Sequence, residues 1–278
     1  MKKCLAGPFI GEFGWELFCW QGFLRKRRPQ YDSMIVICRK GHSVLYQDFA
    51  DEIIEIEIPG NNLNMWKGGI AVEPIISYYN QLEQFTDFIP FDTYKTRWWL
   101  EPNQQTFQTF IPYGHKSMLA CDILMHVRNA FHCRTTFRNW KKDSAQAYAE
   151  WAITEGFSVA CIGRGQTALH IAGTLDLRDM HLSRLVDVMA SSRVIIGSQS
   201  GPHHLASLCQ LPVIAWQTKP EHVDRLSKYW NPFNVRTCTN TTDISYWKER
   251  KHWQPPLEWM KEATVEILRR DRDGSMLK

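Results

Sequence analysis

Short apolar runs alternate with longer amphipathic segments along the chain, a pattern that is typical of sheets with helices packed on them. The run MIVIC at 34–38 is continuously apolar, as expected for a strand that is covered on both faces. Strands are predicted at 2–10, 34–38, 52–58, 121–128, 157–163, 193–197 and 211–216. Helices are predicted at 14–28, 43–51, 141–155, 181–191, 201–209 and 256–270. This β-α-β order predicts an α/β protein with parallel sheets.

The β-α-β series occurs twice, and a less regular segment separates the two halves. Residues 59–118 hold five prolines, and helical pieces are expected near 72–86. We therefore expect two doubly wound, Rossmann-like α/β domains that face a cleft, at residues 1–118 and 119–278. The last helix could pack back on the first domain. Ligands of such sheets bind outside the carboxyl ends of the strands, so the chemistry is expected in the loops that follow strands.

Composition narrows the class of protein. No run of eighteen apolar residues predicts a membrane-spanning helix, and Gly11 and Glu12 interrupt the N-terminal apolar run too early for a signal peptide. The eight cysteines form no CxxC pair, which favours buried thiols in a reducing cytoplasm and no metal site. The net charge of +4 suits a small anionic ligand, and a nucleic-acid partner is possible but not required.

The most informative loop is Ser198-Gln199-Ser200-Gly201-Pro202-His203-His204, which follows an apolar strand and opens a helix. Ser200 suits the N-cap and Pro202 the first turn, while Gly201 lets a ligand approach the backbone. Free N–H groups at such a helix start form an anion site, above all for phosphate, and His204 could add a donor. The alternative is an ordinary capped helix.

The run IIGSQSGPHHLASLCQLPVIAW resembles the nucleotide-sugar motif of glycosyltransferase family 9, the heptosyltransferase-like enzymes. The matching residues are Gly201, His204, Leu205, Ala206 and Pro212. Gln199 stands where the family has an aspartate. The resemblance covers about the last 150 residues and implies a GT-B fold. It also implies that Ser198, Gln199, Ser200, Gly201, Pro202 and His204 bind a nucleotide-sugar donor.

The turn Gly11-Glu12-Phe13-Gly14-Trp15-Glu16 follows the first strand. The family carries a Gly-Asp pair in this loop, so the resemblance implies that Glu12 is the base that accepts a proton from the acceptor hydroxyl. Gly11, Gly14, Trp15 and Glu16 then become candidates for acceptor binding. Glu16 is also the rival base, and either glutamate could instead cap the helix or pair with an arginine.

Basic residues follow the strand at 121–128. The resemblance implies that Arg128 and Arg138 hold the donor's phosphates, with a solvated basic loop as the alternative. Gly163 follows the next strand and could shape the pocket for base and ribose. The polar residues beyond it could meet ribose hydroxyls or cap turns; they are Thr174, Asp176 and Asp179. The run Arg25–Arg28 indicates either a solvated helix end or a patch for an anionic acceptor.

These observations together predict a glycosyltransferase, and the resemblance implies inversion at the anomeric carbon. The one DxD sequence, Asp271-Arg272-Asp273, lies in the C-terminal tail. We expect metal-independent chemistry, with no cofactor besides the nucleotide-sugar substrate. The acceptor would be a glycan or lipopolysaccharide core, or a hydroxymethylated base in phage DNA flipped out against Trp98 or Trp99. The alternatives are a nucleotide-sugar epimerase of the same form and a non-catalytic nucleotide-sugar-binding protein.

Overall fold

Two units make up the chain in the computed structural model, which describes residues 1–57, 85–89, 117–131, 136–217, 235–239 and 254–272. The units are Met1–Gln108 and Thr109–Lys278, so the division falls somewhat before the boundary at 118 that the sequence suggests. The helical piece expected near 72–86 lies almost wholly outside the described residues, and Trp98 and Trp99 lie outside them entirely.

The first unit holds a four-stranded parallel sheet in the order β3-β2-β1-β4. Its strands are β1 (Lys3–Ala6), β2 (Ser33–Arg39), β3 (Glu52–Ile56) and β4 (Asp87–Ile89). Cys4 in β1 is in register with Met34 on one side and with Asp87 on the other. The strand β4 is not predicted from the sequence, because three residues are too few to show a period.

One continuous helical run follows β1 and confirms the predicted helix at 14–28. It comprises α1 (Phe13–Trp15), a π-helical segment (Glu16–Trp20) and α2 (Gln21–Arg27), and it ends in a 3₁₀ turn at Arg28–Gln30. The helix expected at 43–51 is wrong, because only a 3₁₀ turn forms, at Ser43–Leu45. The guanidinium of Arg25 bonds the carbonyl of Leu45, and the N–H of Phe49 bonds the carbonyl of Tyr46 in place of that of Leu45.

The run Arg25–Arg28 is not a free cationic patch. Arg25 is only 6% exposed, and its guanidinium binds both carboxylate oxygens of Asp48. Arg28 pairs with Asp51 at 2.9 Å. Two of the four charges are therefore neutralised within the unit, where they fasten α2 to the segment between β2 and β3.

The second unit holds a six-stranded parallel sheet in the order β10-β9-β8-β5-β6-β7. Its strands are β5 (Ile123–His126), β6 (Val159–Cys161), β7 (Leu175–Asp176), β8 (Val194–Ser198), β9 (Val213–Gln217) and β10 (Val235–Thr239). Its helices are α3 (Lys142–Thr154), α4 (Leu182–Ser191), α5 (Gly201–Leu208) and α6 (Leu257–Arg272). The chain leaves β5 on one side and returns on the other at β8, so the border between these two strands is the topological switch point.

The core of this unit explains part of the high tryptophan content. Trp140 and Trp216 are buried, with their rings edge to face at 5.0 Å. The buried side chains of α6 belong to the same core; they are Met260, Ala263, Ile267 and Leu268. Six cysteines are buried free thiols; they are Cys4, Cys19, Cys38, Cys121, Cys161 and Cys209.

Replacing Arg25 by methionine should lower the free energy of unfolding by about 2–3 kcal/mol, because Asp48 would keep its charge without its cation. The neighbouring Lys26→Met, at an exposed position of the same helix, is the control and should change stability by less than about 0.5 kcal/mol. Urea unfolding of the full chain measures both. Equal effects of the two variants would contradict the assigned ion pair.

Candidate functional site

Ser200 lies at the carboxyl edge of the second sheet, between β8 and α5, and its hydroxyl joins two histidines. Its Oγ is 2.8 Å from Nδ1 of His126, the last residue of β5, and 3.1 Å from Nδ1 of His203. The sequence predicts Ser200 as an N-cap, and α5 does begin at Gly201. However, the hydroxyl bonds no N–H of the helix. The expected side-chain cap is therefore wrong, because the imidazoles take its place.

Both imidazoles are buried and neutral. Burial, with the charge of Arg128 as a smaller cause, lowers the pKa of His126 to about 3. Burial, followed by the neighbouring histidines, holds the pKa of His203 well below its usual range. The Ser200 hydroxyl therefore connects two uncharged rings, which removes the cost of burying a cation here.

Two glycines make room for these rings. A Cβ on Gly197 would lie 2.5 Å from the carbonyl oxygen of His126 and 3.2 Å from Cε1 of His203. A Cβ on Gly163 would lie 2.9 Å from Cδ2 of His126, and the φ of +117° also disfavours a side chain there. The missing side chain of Gly163 therefore makes room for the ring of His126.

The start of α5 carries the other residues that the sequence assigns to a donor. Gly201 and Pro202 form the first turn and are partly exposed. Arg138 reaches the preceding turn, where its Nη1 donates to the carbonyl of Gln199 at 3.5 Å. A guanidinium is thus placed beside a helix N-terminus, and both attract anions.

Three predicted donor residues lie deeper. Ser198 is 1% exposed at the end of β8, and Gln199 is also buried. The Gln199 amide Nε2 donates to Nε2 of His204 at 3.4 Å, so the ring of His204 is turned toward Gln199. The structure brings Gln199, His204 and Arg138 together. The side chains of Gln199 and His204 bond each other and so support the turn before α5.

Asn139 ties the loop after β5 to the segment that carries Arg138. Its Oδ1 accepts from Arg128 Nη1 at 2.7 Å and from the N–H of Ala130 at 3.0 Å, and its Nδ2 donates to the carbonyl of Ala130. Arg128 is nearly buried. The structure thus gives this asparagine a supporting role that sequence reasoning missed.

The polar residues considered for ribose contact are engaged in turns. Thr174 donates to the carbonyl of Ile171 at 2.7 Å. Asp176 pairs with Arg178. Asp179 accepts from the N–H of Gly165 at 3.0 Å. These bonds agree with the turn-capping alternative.

In the first unit, Glu12 and Glu16 differ sharply. Glu12 precedes α1 and is partly exposed, and its side chain makes no capping bond to the helix. Glu16 is 1% exposed, and both of its oxygens are engaged. Tyr46 donates its hydroxyl to Oε1 at 2.7 Å, and Nδ1 of His42 lies 2.8 Å from Oε2. Glu16 therefore anchors the turn, which leaves Glu12 as the better placed candidate base.

Sequence reasoning missed His42 and Tyr46. His42 follows β2, so it lies at the carboxyl edge of the sheet, where the turn after β1 also lies. Its ring meets that of Phe13 edge to face at 5.5 Å. Burial and the charge of Glu16 raise the pKa of Tyr46 well above its usual range, so its hydroxyl keeps the proton that it donates. The signal available in the sequence was a histidine placed just after β2, the strand that pairs with β1.

Within the part of the chain that the structure describes, no three histidine, cysteine or acidic residues are grouped to hold a metal ion. The helices described there include none with the length and apolarity to cross a membrane.

Comparison with solved structures identifies the fold. A glycosyl transferase of family 9 from Veillonella parvula shares 11% identity, with a TM-score of 0.63 over 96% of this chain and 97% of its own. The E. coli ADP-heptose LPS heptosyltransferase II shares 13% sequence identity, with a TM-score of 0.63 over 98% of this chain and 100% of its own. The E. coli heptosyltransferase WaaC, solved with ADP, shares 10% sequence identity, with a TM-score of 0.61 over 96% of this chain and 100% of its own.

Neither a family model nor a curated protein matches the sequence. At 10–13% identity the structural likeness establishes the fold, which is that of the GT-B glycosyltransferases, and confirms the predicted pair of doubly wound domains.

The two neutral histidines predict a pH dependence of stability. Below pH 6.5 the unfolded chain binds protons that folded His126 refuses until about pH 3, so stability falls as the pH falls through this range. Each such histidine should contribute a slope of up to about 1.4 kcal/mol per pH unit. Urea unfolding at pH 7, 6 and 5 should show a smaller slope for His126→Asn than for wild type. The exposed His181→Asn is the control, and an equal slope in both variants would contradict the assignment.

Proposed function

We propose that the protein is a glycosyltransferase that moves a sugar from a nucleotide-sugar donor to an acceptor hydroxyl. The observation that carries this proposal is the placement of Arg138 and the α5 N-terminus beside the switch point of a GT-B sheet. Ligands of doubly wound sheets bind at this point. One of the similar proteins was solved with ADP, which makes a nucleoside diphosphate the first ligand to test.

The donor's diphosphate would bind in the second unit. As the bond between the anomeric carbon and the phosphate oxygen breaks, negative charge develops on the leaving diphosphate. The N-terminus of α5 and the Arg138 guanidinium would stabilise that charge. We propose that they do so in place of a metal ion.

The acceptor would bind at the carboxyl edge of the first sheet. Glu12 would take the proton of the acceptor hydroxyl as its oxygen attacks the anomeric carbon, and attack opposite the leaving group inverts that centre. Partial exposure suits Glu12 to this role. Glu16, with both oxygens bonded, would hold the helix that starts behind the base. Gly11, Gly14 and Trp15 belong to the same turn and would contact the acceptor.

A glycan or lipopolysaccharide core is the acceptor that we propose, because one similar protein is named for lipopolysaccharide. Two of the four charges in the run Arg25–Arg28, which could have attracted DNA, are paired with Asp48 and Asp51. We propose the cytoplasm as the location, because six buried cysteines are free thiols, which is typical of proteins in a reducing compartment.

Isothermal titration of the full chain with ADP, GDP, UDP, CMP and dTDP tests the donor site. At least one nucleotide should bind, and Arg138→Gln should weaken it about tenfold or more, because a charged hydrogen bond to phosphate is lost. Arg269→Gln, on the exposed side of α6, is the matched control and should bind as wild type does. Binding of none of the five nucleotides would overturn the proposed function.

The two glutamates offer a matched pair for catalysis. Turnover is measured with a lipopolysaccharide-core acceptor and a sugar donor that carries the nucleotide found to bind. Glu12→Gln should lower kcat by about 10²–10⁴-fold and leave stability unchanged. Glu16→Gln should instead lower the free energy of unfolding by about 1–3 kcal/mol, because a buried acceptor becomes an amide.

Product analysis separates the alternatives. A new sugar isomer from the donor alone would indicate an epimerase. Nucleotide binding with no turnover would indicate a binding protein. Full activity of Glu12→Gln would contradict its role as base.

A further inference from the structure

The two hydrogen bonds that link His203, Ser200 and His126 allow only two assignments of donor and acceptor. The Ser200 hydroxyl has one hydrogen and faces the Nδ1 atoms of two neutral imidazoles. It can donate to one ring and must accept from the other, so only one ring carries its hydrogen on Nδ1. The other ring carries its hydrogen on Nε2.

The burial of His203 selects between these directions. Its side chain is fully buried, and its Nε2 has no hydrogen-bond partner among the residues that the structure describes. If Ser200 donated to His203, a buried N–H without an acceptor would result, which folded proteins rarely tolerate. The opposite direction leaves only a bare lone pair there. His203 Nδ1–H therefore donates to Ser200, Ser200 donates to His126 Nδ1, and His126 carries its hydrogen on Nε2.

Nε2 of His126 lies on the side of the ring away from Ser200, next to the backbone after β6. A Cβ on Gly163 would come within 3.1 Å of it. No hydrogen bond is found at this atom among the described residues. The strand β5 that ends in His126 lies between β8 and β6, at the switch point of the sheet. A single oriented N–H thus stands at the edge where a ligand of this fold binds.

We propose that His126 is a donor-binding residue, whose Nε2–H bonds a phosphate oxygen of the nucleotide sugar. Ser200 and His203 are positioning residues that fix its tautomer and its ring. This proposal rests on the proposed function and adds a third phosphate-binding element to Arg138 and the start of α5. A ring held this way binds without reorientation, since its donor is already directed.

Two asparagine variants test the proposal. An asparagine amide reaches the position of a histidine Nδ1 but not that of Nε2. His126→Asn can therefore keep the bond to Ser200 while it removes the proposed ligand donor. Titration of the full chain with ADP, then with GDP, UDP, CMP and dTDP, should show affinity about tenfold or more weaker for His126→Asn. The exposed His181→Asn is the control and should bind within about twofold of wild type.

Equal binding by His126→Asn and wild type would overturn the proposal, as would an equal loss in both variants. A measurement on the wild type covers the case in which a variant does not fold. Nitrogen-15 NMR of labelled histidine should show His126 protonated at Nε2, with that signal shifted on addition of the nucleotide. Protonation at Nδ1 would overturn the proposal.

The two levels of inference fail differently. If wild type binds none of the five nucleotides, the proposed function fails and this inference fails with it. If wild type and Arg138→Gln behave as expected while His126→Asn binds normally, only this inference fails.

Discussion

A polar group that is removed from water must find a partner inside the protein, and this constraint shapes both candidate edges. In the first unit the buried carboxylate of Glu16 takes bonds from Tyr46 and His42, and the helical run that follows Glu12 is thereby fixed. In the second unit the Ser200 hydroxyl joins two buried rings below the start of α5. In each case a buried polar cluster supports a more exposed turn.

The parallel sheets explain why these clusters lie where they do. Every strand of a parallel sheet ends at the same edge, so residues far apart in sequence meet there. His126 and Ser200 are 74 residues apart, and Glu16 and His42 are 26 apart. The supports for both turns are therefore long-range contacts, although each turn is a short continuous segment of the chain.

The difference between the short continuous turns and their long-range supports also decides what could be predicted from the sequence. The apolar runs predicted β2, β8 and β9, because strands that are buried on both faces of a parallel sheet consist almost entirely of apolar residues. The position of Ser200 before α5 was predictable from local capping rules, but the use of its hydroxyl was not, because two distant imidazoles compete for it. The helix predicted at 43–51 failed for the same reason, since the distant Arg25 bonds the Leu45 carbonyl that a helix would pair with the N–H of Phe49. Short strands such as β4 and β7 left no period to detect.

The chemistry open to each position follows from its depth. At 5% exposure, position 126 could hold a lysine or an arginine only at a large desolvation cost, and a protonated histidine would meet the same penalty. A neutral imidazole avoids that penalty and still offers one N–H of defined direction. Arg138 is partly exposed and keeps its hydration in part, so a full charge is tolerable there. A site that places its cation at the rim and a neutral donor deeper in the sheet can contact an anion at two depths without burying an unpaired charge.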